Sequence, residues 1–335
     1  MYSSFSAFPF VFTVVCFDAA HRTFILAILF RRYTMASIVN TSRIAVVGLG
    51  QLGGSLAMRL KELGARSVYG VARRTASLEQ ALKDDLIEAG STDAAEVLPV
   101  VDIAFICLPV PATIEFVKAN LSYFRPGSIV TDVGSVKKVL VDELRGMLHD
   151  HGTYFIGGHP MAGSEKFGLD FARADLYTEK IVFLTPTPDD ELEAINLVIE
   201  FWREIGSIPI ELNAARHDQV VAYASHMPHL MSALIAKATL GHDEADAHGM
   251  ACASGFRDIT RVASGNVDMW REITMQNRVA ILAALDDCQT ELANLRQSIA
   301  DGDEGQVVEF LEIAKRCRDD WLEDSARGRQ GNDNT

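Results

Sequence analysis

Arg43-Ile44-Ala45-Val46-Val47-Gly48-Leu49-Gly50-Gln51-Leu52-Gly53-Gly54 decides the fold of this chain. A short run rich in β-branched residues gives way to the spacing Gly48-x-Gly50-x-x-Gly53. Apolar residues then recur at Leu52, Leu56, Met58, Leu60 and Leu63, mostly at helical spacing. Strand, tight turn and helix form the context in which that glycine spacing carries information. Gly48 permits the turn, Gly50 lets backbone approach a pyrophosphate, and Gly53 lets the helix pack closely. The helix N-terminus adds unpaired N–H groups and the positive end of its dipole. The segment predicts a dinucleotide site built on Gly48, Gly50, Gln51, Leu52 and Gly53.

Outward from it, strands are predicted at Ser67 to Val71, Ile103 to Leu108 and Ser128 to Val133, with helices at Leu78 to Glu88 and Pro111 to Leu121. Such alternation implies a parallel sheet covered on both faces. Strands at Tyr154 to Gly157, Lys180 to Thr185 and Ile208 to Leu212, with a helix at Asp190 to Ile205, would extend it. After about Glu211 the pattern turns helical: Asn213 to Leu240, Asp243 to Ala263, Asp268 to Ser298 and Glu304 to Asp324, broken by Gly241, Gly265 and Gly302. The expected fold class is an α/β Rossmann dinucleotide-binding domain over 43–211 followed by an all-α dimerisation domain over 212–324. The helices carry more apolar surface than one small bundle needs, so the expected partner is a second copy, a homodimer through the helical domain.

Residues 1–34 read as an extension outside the fold and disordered, and 325–335 as a disordered tail. Phe5 to Phe30 is apolar but is interrupted by Asp18, His21 and Arg22, and Arg31 and Arg32 follow it. No run reaches membrane-spanning length, and the basic pair stands on the wrong side for a signal peptide. Met35 lies just before the first strand. Across 335 residues the net charge is −14, which argues against a nucleic-acid partner. The five cysteines show no CxxC spacing, which suits a reducing compartment, so a cytoplasmic location with no membrane partner is expected.

An Asp or Glu at the end of the second strand of such a fold hydrogen-bonds the ribose 2′-OH of NAD. Here that place reads Val71-Ala72-Arg73-Arg74-Thr75, without a carboxylate. Two guanidinium groups and a hydroxyl suit a 2′-phosphate, so Arg73, Arg74 and Thr75 point to NADP as the preferred cofactor, with NAD the alternative. The competing reading is that both arginines are solvated loop charges. Farther along, Gly157-Gly158-His159-Pro160-Met161-Ala162-Gly163-Ser164-Glu165 holds His159 between glycines and a proline, as a positioned base is held. His226 and His229, three apart on a helix, have metal-ligand spacing but no third ligand nearby, and no metal is expected.

The His159 string, together with Thr131-Asp132-Val133-Gly134-Ser135-Val136-Lys137, His217-Asp218-Gln219, Ser225-His226-Met227-Pro228-His229 and Gly255-Phe256-Arg257-Asp258-Ile259-Thr260-Arg261, resembles the prephenate/arogenate dehydrogenases of tyrosine biosynthesis. The likeness runs in order from about Arg43 to Leu322. It implies NAD(P)-dependent oxidative decarboxylation of a cyclohexadienol, prephenate giving 4-hydroxyphenylpyruvate, or arogenate giving tyrosine directly with NADP. It makes His159 the acceptor of a hydrogen bond from the ring hydroxyl and Ser135 the group that orients that hydroxyl and the nicotinamide. Arg261 would bind a substrate carboxylate, Arg257 would pair with Asp258 and order the pocket, and His226 and His229 would line it. The rival enzyme class, hydroxyisobutyrate-type dehydrogenases, carries a glycine-rich helix with a catalytic lysine that this chain lacks. A non-catalytic NADP-binding sensor is the remaining alternative.

Overall fold

The computed structural model describes residues 12–17, 23–28, 37–163 and 168–332, the side chains of the first two segments and of 325–332 excepted. Within the expected extension, β1 (Phe12–Phe17) and β2 (Thr23–Ile28) pair antiparallel as a sheet of their own. Disorder expected for 1–34 does not describe these two segments, whose β-branched and aromatic residues favour strands. The rest of 1–34 lies outside the described residues. From Ser37 the chain is anchored. The carboxylate of Glu204 accepts the Ser37 hydroxyl at 2.8 Å and the amides of Ile38 and Val39 at 2.9 and 3.0 Å, capping the short helix α1 (Ile38–Thr41).

The chain then alternates: β3 (Ile44–Val47), α2 (Gln51–Glu62), β4 (Val68–Val71), α3 (Thr75–Lys83), β5 (Ala89–Ser91), β6 (Ile103–Ile106), α4 (Val110–Ala119), β7 (Ile129–Asp132), α5 (Lys138–Asp150), β8 (Tyr154–Pro160), β9 (Ile181–Thr185), α6 (Leu192–Ile205) and β10 (Ile208–Glu211). The sheet order is β10-β9-β8-β7-β6-β3-β4-β5. From β5 to β8 every pairing is parallel. The chain winds outward through β4 and β5, then returns to build β6, β7 and β8 on the other side of β3. That reversal opens a crevice at the carboxyl ends of β3 and β6, where such sheets bind ligands. Successive residues of β3 enter opposite cores, Ile44 and Val46 one, Ala45 and Val47 the other, so both faces are covered.

The far side corrects the expectation of a wholly parallel sheet, because β9 runs antiparallel to β8 and β10 is parallel to β9. A parallel return needs a long crossover, usually helical. Between β8 and β9 the described residues hold only a 3-10 turn, Leu169–Phe171, so the chain folds back.

The remainder is helical: α7 (Ala214–Val221), a π turn over Ala222–His226, α8 (Met227–Leu240), α9 (Ala245–Ala251), α10 (Ser254–Thr260), a 3-10 turn Arg261–Ser264, α11 (Val267–Gln276), α12 (Arg278–Asp301) and α13 (Glu304–Asn332). The expected helix Asn213 to Leu240 is thus interrupted. Pro228 has no N–H to continue the ladder, and the turn before it widens. The tail expected to be disordered from 325 instead continues α13 to Asn332. Ala326, Arg327, Arg329 and Gln330 are good helix formers, and no proline stops them. Among the described residues of this half, only Ala222, Ile281 and Ala284 form a buried apolar cluster. Leu234, Val279, Leu282 and Leu292 stand 54 to 78% exposed. An apolar surface of that extent is the mark of a protein interface.

Candidate active site

The glycine turn is built as its spacing predicts. Gly48 has φ of +94°, and a Cβ there would lie 2.6 Å from the Cys107 carbonyl oxygen. A Cβ on Gly53 would collide with the Gly48 carbonyl oxygen, so the helix can approach the turn only as glycine. Gly50 caps α2 without a side-chain hydrogen bond, the first turn of α2 holds no acid, and the space beside Gly50 is open. Bare amides at a helix N-terminus, with room above them, fit a pyrophosphate. Gln51 contacts the Phe171 carbonyl at 3.4 Å, and the Leu52 carbonyl accepts the Tyr177 hydroxyl at 2.8 Å, which ties the turn to the 169–177 segment. At the end of β4, Arg73, Arg74 and Thr75 are exposed, with Arg74 at the N-cap of α3.

His159 lies on β8 itself, not after it, and is 8% exposed. A buried network surrounds it that sequence reasoning did not assign. The ammonium of Lys137, with no exposure, pairs with Asp132 and donates to the Gly158 carbonyl at 2.7 Å. Asp132 also accepts the amides of Gly134 at 2.7 Å and Gly158 at 3.1 Å. His159 Nδ1 is 2.8 Å from His217 Nε2, and His217 Nδ1 is 2.8 Å from Asp218 Oδ1. Asp218 accepts the amides of Lys137 and Lys138 at 2.8 and 3.0 Å, capping α5 from α7. Ser135 is half-buried on the loop between Asp132 and Lys137.

Beyond His159 the helical domain supplies the other wall. His226 is buried, and its Nδ1 accepts from the Asn277 amide at 3.0 Å, which also donates to the Asp218 carbonyl at 2.8 Å. His229 stacks on Trp270 with centroids 3.4 Å apart and planes 9° from parallel. Gly265 lies against that stack, where a Cβ would be 2.6 Å from the Trp270 indole nitrogen. The 3-10 turn bearing Arg261 packs on α8, the helix that carries His229. Arg257 and Arg261 are both exposed and make no ion pair among the described residues. Arg257 and Asp258 therefore do not pair as expected, since consecutive helical residues point away from each other. Among the described residues no group of three or more His, Cys, Asp or Glu could hold a metal ion. No helix among them is long and apolar enough to cross a membrane.

Lys137, Asp132, His217 and Asp218 sit inside the strings that carry the resemblance, but their roles there could not be read from residue type. Asn277 and Trp270 had no sequence signal at all.

Burial holds the histidines neutral. Desolvation first, then the charges of His217, Lys137 and His226, pull His159 well below its ordinary value. Desolvation likewise lowers His217 and His229, and brings His226 down to about 4.

Removing hydride from a carbon that bears a hydroxyl needs a nucleotide held in the sheet crevice and an acceptor for the hydroxyl proton; a chain that supplies both is an NAD(P)-dependent dehydrogenase. Residues 56–210 match the family described as prephenate dehydrogenase, nucleotide-binding domain, and residues 213–313 match its dimerization domain. Arogenate dehydrogenase from Synechocystis is 31% identical, with a TM-score of 0.73, covering 83% of this chain and 99% of that one. Prephenate dehydrogenase from A. aeolicus, in complex with hydroxyphenyl propionate and NAD+, is 29% identical with a TM-score of 0.77, covering 82% and 96%. Prephenate dehydrogenase from Bacillus subtilis is 29% identical, covering 82% of this chain and 75% of its own. The chain belongs to the prephenate dehydrogenase family.

The buried histidines give stability a pH dependence. An unfolded chain protonates them as pH drops below about 6.5, while the folded chain keeps them neutral until its own lower values are reached. Their contribution is complete above about 6.5 and is lost progressively as pH falls toward about 4, the value for His226. The urea midpoint should decline steadily between neutral pH and that limit, and a flat midpoint would contradict the assignment of neutral buried imidazoles.

Proposed function

We propose that the protein oxidises prephenate to 4-hydroxyphenylpyruvate and CO2 in tyrosine biosynthesis, with NADP preferred over NAD. The observation that carries the reading is His159, a buried neutral imidazole at the carboxyl end of β8 whose Nε2 has no hydrogen-bond partner among the described residues. When bound, the nicotinamide accepts the hydride. His159 accepts the proton of the ring hydroxyl as the carbonyl forms, and Ser135 orients that hydroxyl. Loss of CO2 then restores aromaticity without further demand on the protein. Arg261 holds a substrate carboxylate by a bidentate fork, with Arg257 adding positive charge beside it. His226 and the His229–Trp270 stack shape the pocket against the ring and side chain. The work of the chain is alignment plus one proton transfer.

Arogenate is the second reading. It is supported by the missing acid after β4 and by likeness to the Synechocystis arogenate dehydrogenase. Initial rates with both substrates and both cofactors separate the two, and no turnover with either would favour a non-catalytic NADP sensor. The NADP preference rests on Arg73 and Arg74, exposed and outside every ion pair of the described residues. The helical domain, 212–324, associates with a second copy through its apolar surface, and the Rossmann domain spans 43–211. Scattered cysteines support a cytoplasmic enzyme.

NADP should outperform NAD. A charge-assisted hydrogen bond contributes about 1.5 to 3 kcal/mol, so Arg73→Ala should weaken NADP roughly ten-fold to a hundred-fold and leave NAD nearly unchanged; equal use of both cofactors by the unmutated enzyme counts against this. His159→Asn should lower kcat by about 10² to 10⁴ with a smaller change in KM. The acid limb of the unmutated enzyme's kcat/KM profile should lie below about 6.5, because burial lowers the base. A kcat within a few-fold of normal in His159→Asn would remove it as the base. Arg261→Ala should raise KM strongly and kcat little, because the carboxylate is held alike in ground and transition states. Arg261→Lys should rescue only partly. An unchanged KM for both substrates in folded Arg261→Ala would make this arginine structural.

A further inference from the structure

His217 and Asp218 stand in line behind His159. The Asp218 carboxylate can only accept, and it already takes the Lys137 and Lys138 amides at the N-terminus of α5. The nitrogen that faces Asp218 Oδ1 at 2.8 Å, His217 Nδ1, must therefore carry hydrogen. A neutral imidazole has one N–H, so His217 Nε2 is bare and can only accept. The next nitrogen, His159 Nδ1 at 2.8 Å, must be the donor. A neutral His159 is then left with its lone pair on Nε2.

From this order of donors and acceptors we infer that His217 and Asp218 are positioning residues that fix the tautomer of His159, aiming its bare Nε2 at the substrate hydroxyl. The inference rests on His159 being the base. The reverse order would set a bare nitrogen of His217 against the Asp218 carboxylate, lone pair against lone pair. Asn277 guards the alignment from the other side, since its amide donates to the Asp218 carbonyl and fixes where α7 sits over α12. Burial supports the same order, because His217 has no exposure and is held neutral. Once His159 has taken the substrate proton, its Nδ1–H still donates to His217, whose own Nδ1–H donates to Asp218. The carboxylate therefore favours the imidazolium at one remove. No proton needs to leave His159 along this line during the hydride step.

The decisive measurement is 15N NMR of the unmutated, histidine-labelled protein at neutral pH. It should show His159 with Nδ1 protonated and Nε2 bare. Asp218→Asn puts an amide N–H where the carboxylate stood and should reverse the order, moving the proton of His159 to Nε2. In that variant kcat should fall on the order of 10²-fold or more, while KM and the Kd for NADP stay within about three-fold. His217→Phe, close in shape but unable to relay, should lose kcat similarly. A protonated Nε2 in the unmutated protein overturns the inference, as does a kcat within about two-fold of normal in folded Asp218→Asn. If that variant fails to fold, the spectrum of the unmutated protein decides alone. The tautomer is read without substrate, so a wrong choice of substrate leaves this result intact, while activity in His159→Asn would remove the base and not the relay.

Discussion

One buried charge pair holds the catalytic half together. Lys137 and Asp132 have no exposure, and between them they bind β7, the loop that bears Ser135 and the backbone of Gly158, the residue before His159. Two charges this deep are tolerable because each is also hydrogen-bonded to backbone. Removing one partner of such a pair costs about 3 to 5 kcal/mol, because the other is left buried and alone. Desolvation draws Lys137 below its ordinary value, opposed by the Asp132 charge and hydrogen bond. The pair also sets the field at the site. A cation fixed under β8 is one reason that His159 stays neutral.

The domains meet in the same network. Asp218, from the first helix of the helical domain, caps α5 of the Rossmann domain, and Asn277 from the start of α12 locks the Asp218 backbone. His159, the proposed base, is on the sheet, while His217 and Asp218, which stand in line behind it, come from the helices. Misplacing the domains by an ångström would therefore act on His159 before it disturbed the cofactor turn. That coupling is economical for an enzyme whose chemistry is mostly alignment.

The sequence made legible those features whose cause is local. Gly48 and Gly53 declare the turn because only glycine meets its geometry there, and the alternation of β-branched runs with helical spacing declares the sheet. The antiparallel β9 was hidden because strand direction depends on the length and content of a connection, not on the strand's own residues. The helix Lys138–Asp150 is absent from the expected elements although Leu140, Leu144 and Leu148 recur every four residues and are all buried. At the site, His159 stood out by its glycine and proline neighbours. His217 and Asp218 were visible only within a family string, and Asn277 and Trp270 were not visible at all. The roles of Asn277 and Trp270 arise from contacts spanning 41 to 59 residues, such as Asn277 to Asp218 and Trp270 to His229, and no periodicity encodes such pairs.

The π turn at Ala222–His226 has a geometric meaning for the helices it joins. An α-helix advances about 100° per residue, and a π turn spends one extra residue on the same rise, so it works as a phase shifter between α7 and α8. Upstream stand His217 and Asp218, facing His159 and α5; at its last residue and just beyond it stand His226 and His229, facing Asn277 and Trp270. The two sets are kept in step by that single surplus residue. A chain shortened by one position there would keep every residue of the site and every helix, yet present one set of imidazoles about a quarter turn away from the other.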